Sequence, residues 1–114
     1  MTTFNMKTGD LEPPLVIDIS GSSGDLNDVV SWRVIGRRRA TAELLFEDPD
    51  PGHEVDGEDP SKAVVTHHWV AGETDTPGVV HVEVEALWPS DRRQTFPAVG
   101  YAQVRIGDDL DETA

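Results

Sequence analysis

The sequence predicts an all-β domain in which two antiparallel sheets stack face to face. Three observations carry that expectation. Short runs of apolar and β-branched residues alternate with polar ones, clusters of Gly, Pro, Asp and Ser separate the runs, and helical periodicity is nearly absent. The alternation matters because successive side chains of a strand point to opposite faces, so a period of two marks a strand with one buried face.

The first expected strand, Thr3 to Lys7, ends in the turn Thr8-Gly9-Asp10. The second, Leu15 to Ser20, should point Leu15, Ile17 and Ile19 inward and Asp18 and Ser20 outward. Pro13 and Pro14 lie between them. Proline has no N–H for a ladder and favours extended geometry in the residue before it, so this stretch is expected to cross between the sheets at an edge. The third strand, Val29 to Ile35, places Val30, Trp32 and Val34 on one face with Trp32 as a core anchor, and Gly36 marks a turn. A fourth, Arg38 to Phe46, puts Ala40, Ala42, Leu44 and Phe46 on one face, with Leu45 breaking the alternation. The fifth, Lys62 to Trp69, carries Ala63, Val65, His67 and Trp69 on one mixed face. The sixth signal is the strongest: Val80, Val82, Val84, Ala86 and Trp88 alternate with His81, Glu83, Glu85 and Leu87. It is entered through Asp75-Thr76-Pro77-Gly78, where Pro supplies a fixed φ and Gly a positive one, the needs of a type II turn. The seventh, Tyr101 to Ile106, points Ala102, Val104 and Ile106 inward. About seven antiparallel strands in one chain of 114 residues make an Ig-like β-sandwich, a statement of architecture alone because the cysteine pair of antibody domains is missing. Residues 1–107 are expected to form the single domain and 108–114 an acidic, flexible tail.

Charge narrows the function. With 22 acidic and 9 basic residues the formal charge is -13, which repels phosphate backbones and argues against nucleic acid as a partner. No run approaches the roughly 20 apolar residues of a membrane-spanning helix, so no membrane partner is expected. Zero cysteines remove disulfides, thiolate chemistry and thiolate zinc sites. The segment Glu47 to Pro60 holds seven acids, no base, three prolines and two glycines, the composition of a solvated loop.

The stretch Phe4-Asn5-Met6-Lys7-Thr8-Gly9-Asp10 with Pro13-Pro14-Leu15, the turn Asp75-Thr76-Pro77-Gly78, and Gln94-Thr95-Phe96-Pro97 before Gly100-Tyr101 resemble, in order and spacing, the N-terminal domain of phage baseplate upper proteins. The resemblance implies an Ig-like domain that attaches a component to a phage tail: a minor tail, tail-tip or baseplate protein, located in the virion after synthesis in the bacterial host cytoplasm. Its partners would be other tail proteins and further copies of itself. Two departures qualify it. The acidic stretch 47–60 is longer than the family leads one to expect, and the chain ends soon after the domain, with no downstream receptor-binding region. A carbohydrate- or calcium-dependent binding module, and a capsid decoration or head-to-tail joining protein, are the alternatives on the same sandwich.

His53, His67, His68 and His81 supply metal-ligand chemistry, but adjacent His67 and His68 point to opposite faces; His68 and His81 could meet only across paired strands. Asp48, Asp50, Glu54, Asp56, Glu58 and Asp59 offer oxygens suited to Ca²⁺, yet the EF-hand spacing fails, with His53 at the glycine position and Asp59 at the bidentate one. Ser20-Gly21-Ser22-Ser23-Gly24 does not fit Gly-x-Ser-x-Gly and reads as a turn. No nucleophile, base and oxyanion set is legible, so no catalytic residue, cofactor or metal is assigned and the chain is not expected to be an enzyme. The candidate protein-interface residues are Arg37, Arg38, Arg39, Trp88, Arg92 and Arg93, since basic patches on an acidic molecule suit contacts between copies and Trp with Arg is common at interface hot spots.

Overall fold

A computed structural model describes residues 3–97 and 102–107. Its strands are β1 (Thr3–Lys7), β2 (Leu15–Ile19), β3 (Ser31–Arg38), β4 (Leu44–Asp48), β5 (Gly52–Val55), β6 (Ala63–His67), β7 (Gly78–Trp88), β8 (Arg92–Phe96) and β9 (Ala102–Gly107). They form a six-stranded sheet, β1-β9-β7-β3-β4 with β8 also paired to β7, and a three-stranded sheet, β2-β6-β5. The chain is an all-β sandwich. Neighbours are antiparallel except β1 and β9, which run parallel.

The backbone of the fold is β7. Its eleven residues extend about 35 Å at the usual rise per residue. Along one side it pairs with all of β3; along the other its first half pairs with β9 and its second with β8. Val80, Val82, Val84 and Ala86 are fully buried and Trp88 nearly so. Opposite them, Leu15, Ile17 and Ile19 of β2 and Ala63 and Val65 of β6 close one hydrophobic core. At about 1.5–3 kcal/mol for each fully buried aliphatic side chain, this layer is the main stabilising term in a chain without disulfides. The Pro13-Pro14 stretch joins β1 of one sheet to β2 of the other, the crossing its composition predicts.

Several expectations need correction. The expected fourth strand from Arg38 divides: Arg38 ends β3, residues 39–43 turn, and β4 starts only at Leu44. Of the residues expected on its single face, Ala40, Ala42 and Leu44 are exposed and only Phe46 is buried. The register explains why: Gly36 faces Phe46 and Arg37 faces Leu44, leaving Leu45 as the extra residue of a β-bulge. Val30 precedes β3 and is exposed. Gly36 is no turn but a buried position in mid-strand, where a Cβ would run into the ring of Phe46. The acidic stretch 47–60 is not wholly loop, for it contains the end of β4 and all of β5. β8 escapes the period-two signal, because Arg-Arg-Gln-Thr-Phe lacks apolar alternation. His68 and His81 belong to segments of different sheets and cannot pair. Tyr101 and the segment 108–114 lie outside the described residues.

Gly36→Ala should therefore destabilise the domain by about 1–3 kcal/mol, since Phe46 is itself held by a stacked neighbour and cannot yield freely. Urea unfolding of the two proteins measures it; an unchanged midpoint would show that the ring moves at no cost.

Candidate functional site

The two arginine clusters are far apart. Arg37 and Arg38 end β3 and Arg39 follows it beside the start of β7, whereas Arg92 and Arg93 open β8 beside its far end. They occupy opposite ends of the sandwich and do not form one patch. Arg38 is half-buried and its Nη1 donates to the carbonyl of Thr76 at 3.2 Å, so it fastens the loop before β7. Arg37 donates to the carbonyl of Ala42 at 3.2 Å within its own turn, and the exposed Arg39 is held through its backbone N–H by Val79. Neither Arg37 nor Arg39 forms an ion pair among the described residues, so both present guanidinium charge to solvent.

At the other end, Trp88 does not belong to an exposed interface. It is 8% exposed, Gly24 lies against its ring, and its indole N–H donates to the carbonyl of Asp25 at 2.8 Å. Arg92 is exposed, while Arg93 reaches Glu85 at 3.4 Å. Glu85 also takes a hydrogen bond from Arg33 at 2.5 Å, and Arg33 lies 3.4 Å from Glu47. This network crosses four strands of the outer sheet face. The Glu85 hydrogen bond, with the charges of Glu85 and Glu47, raises the pKa of Arg33 above its usual value.

The acidic segment is split between roles. Asp48 turns to His67, and the Oδ1 of Asp56 accepts from the backbone N–H groups of Glu58 and Asp59. Asp59 accepts from the N–H and hydroxyl of Ser61, and these bonds lower its pKa. Asp18, Glu54, Asp56 and Glu58 line an open groove of about 870 Å³ with Lys62, over a floor that includes Ile19, Val55 and Ala63. Among the described residues no three acidic or histidine side chains converge as a metal site.

The feature that sequence reading missed is the setting of His67. Its side chain is 4% exposed; Nδ1 lies 2.7 Å from Asp48 on β4 and Nε2 lies 3.0 Å from Glu73 in the loop after β6. Its ring stacks on Phe46 with centroids 4.2 Å apart and planes 2° apart, and meets Trp69 edge-on. A ring between two carboxylates donates to both when it carries two protons; with one N–H, the other contact needs a proton from the carboxyl group. Both nitrogens are occupied, so His67 has none left for a substrate. The cluster joins the two sheets and pins the 70–74 loop, where Glu73 also accepts from the N–H of Val70 at 2.8 Å. The alternation places His67 inward, but the carboxylates that meet it come from distant segments.

Comparison of the chain with known protein families and with characterised proteins gave no match.

His67→Phe keeps a flat ring against Phe46 but removes the shared partner of two largely covered carboxylates, each of which keeps one backbone N–H, and should cost about 2 kcal/mol in urea unfolding. His68→Ala, on the exposed side, should stay within about 0.5 kcal/mol. Asp59→Asn tests the acidic turn by pH. Because the folded pKa of Asp59 is lowered, its contribution is present above the unfolded value of about 3.9 and disappears as pH falls through the folded one. Thermal melting should show the variant less stable than the parent at pH 7 and the gap closing below about pH 4.

Proposed function

We propose that this chain is a structural subunit of a bacteriophage tail, a minor tail, tail-tip or baseplate protein, that acts by assembling with other proteins and performs no catalysis. The observation that supports the reading is that one of the stretches resembling baseplate upper proteins is hydrogen-bonded to Thr74, the residue directly before another. The turn Thr8-Gly9-Asp10 docks on the approach to Asp75-Thr76-Pro77-Gly78: the N–H of Gly9 donates to the carbonyl of Thr74 at 3.0 Å, and the fully buried hydroxyl of Thr74 donates to the carbonyl of Asp10 at 2.9 Å. Segments 64 residues apart thus close one end of the sandwich together.

The surface supports attachment. Exposed Arg37 and Arg39 sit at one end and the carboxylate-lined groove at the other, so two copies present complementary charge. A carbohydrate module is less well supported, because Trp32, Trp69 and Trp88 are all buried and no tryptophan platform exists among the described residues. A capsid decoration or head-to-tail joining protein would use the same surfaces and differs in where it docks.

Electron microscopy of particles carrying a C-terminal tag on this protein separates these readings. Label at the distal end of the tail is expected; label on the capsid, or none on virions, would overturn the placement. Arg37→Glu with Arg39→Glu, sparing Arg38, should leave the isolated domain folded and lower its copies per particle about tenfold or more. Normal incorporation would retire that end as a contact.

A further inference from the structure

Soluble β proteins guard the open edges of their sheets with charge, bulges, proline or brevity. Most edges here follow the rule. β4 carries the Leu45 bulge and ends in Glu47 and Asp48. β5 has four residues, follows Pro51 and includes Gly52 and Glu54. β8 begins with Arg92 and Arg93, and Gln94 is tied to the 21–23 loop. β1 shows Thr3, Asn5 and Lys7 to solvent.

β2 is the least guarded along its length, although Pro13 and Pro14 precede it. Leu15-Val16-Ile17-Asp18-Ile19 pairs with β6 in unbroken register on one side and with no strand among the described residues on the other. It has no bulge and one charge. Val16 is 49% exposed, and beside it on the same outer face Val64 of β6 is 37% exposed, one diagonal step away in the register. Together they form a small apolar strip that ends at the bare edge.

We propose that β2 is a homodimerisation edge: it pairs antiparallel with β2 of a second copy about a two-fold axis, joining two three-stranded sheets into one of six strands. The pairing sets Ile17 opposite its own counterpart and Val16 opposite the counterpart of Asp18. Three features select a second copy in this orientation. A pairing centred on a residue keeps both buried faces on one side of the joined sheet. The single charge lies off the axis, so like charges are not directly opposed. The acidic 56–59 turn lies beyond the Ile19 end of the strand, so antiparallel pairing holds the two acidic turns at opposite ends, where parallel pairing would crowd them in a chain of net charge -13. The contact is isologous and closed, and stops at two copies. The inference goes beyond the tail reading, because this dimer needs no phage particle to form.

Sedimentation velocity of the purified chain from about 1 to about 500 μM tests it, a range that spans weak to moderate dimers. A concentration-dependent dimer is expected. Val16→Asp faces each introduced carboxylate with Asp18 of the other copy and should raise the dimer Kd about tenfold or more. Adding Asp18→Lys to the same chain turns both oppositions into ion pairs and should restore association to within about threefold. Thermal melting checks that each variant is folded. Should Val16→Asp fail to fold, the cysteine-free chain offers a clean alternative: Val16→Cys copies mixed with Asp18→Cys copies should yield the mixed disulfide under mild oxidation. A wild-type chain that stays monomeric throughout overturns the proposal. So does a dimer that is indifferent to Val16→Asp or sensitive only to Arg37→Glu with Arg39→Glu, and so does absence of the mixed disulfide. None of these results bears on where tagged protein lies in a particle.

Discussion

Everything in this sandwich hangs on the burial of one face of β7. Five alternate positions from Val80 to Trp88 enter the core, and both flanks of the strand are hydrogen-bonded along nearly their full length. A strand so placed can hold no charge on its inner face, and its outer face is free to carry His81, Glu83 and Glu85. The neighbours inherit this division. Trp32, Val34 and Gly36 of β3 sit inward opposite Ala86, Val84 and Val82, while Arg33 falls opposite Glu85 and completes an ion pair on the outside.

Core volume then decides the details. Phe46 lies across Gly36 because no side chain occupies that point of β3, and the Leu45 bulge restores its aim after the turn 39–43. On its other face Phe46 stacks on His67, which Asp48 and Glu73 hold from either side. Stacking, edge contact and two hydrogen bonds thus tie the edge of one sheet, the end of the other and the 70–74 loop. In a small domain without disulfides such a tie does work that a covalent staple would otherwise do.

A molecule built this way has its polar resources on the ends and edges. The arginine turn lies at one end of the sandwich, whereas the carboxylate-lined groove borders the bare edge of β2 through Asp18 and Ile19. Within the molecule, His67 is held by two carboxylates, and Asp56 and Asp59 are held by their own turns.

The amino-acid order alone settles the class of fold, because the period of two is a local property that any five residues display. Strands β1, β2, β6, β7 and β9 and the inward positions of β7 are all legible that way, as is the crossing at Pro13-Pro14. Likewise legible are the arginine clusters and the acidic segment, but not their partners or their distance from one another. Tertiary structure decided what depends on register: that Gly36 lies in a strand and not a turn, that Leu45 is a bulge, that β5 and β8 are strands, and that Asp48 and Glu73 meet at His67. Those outcomes join residues far apart in the chain, and no local pattern encodes which of many equally spaced polar side chains will come within 3 Å of a given ring once two twisted sheets have closed on each other.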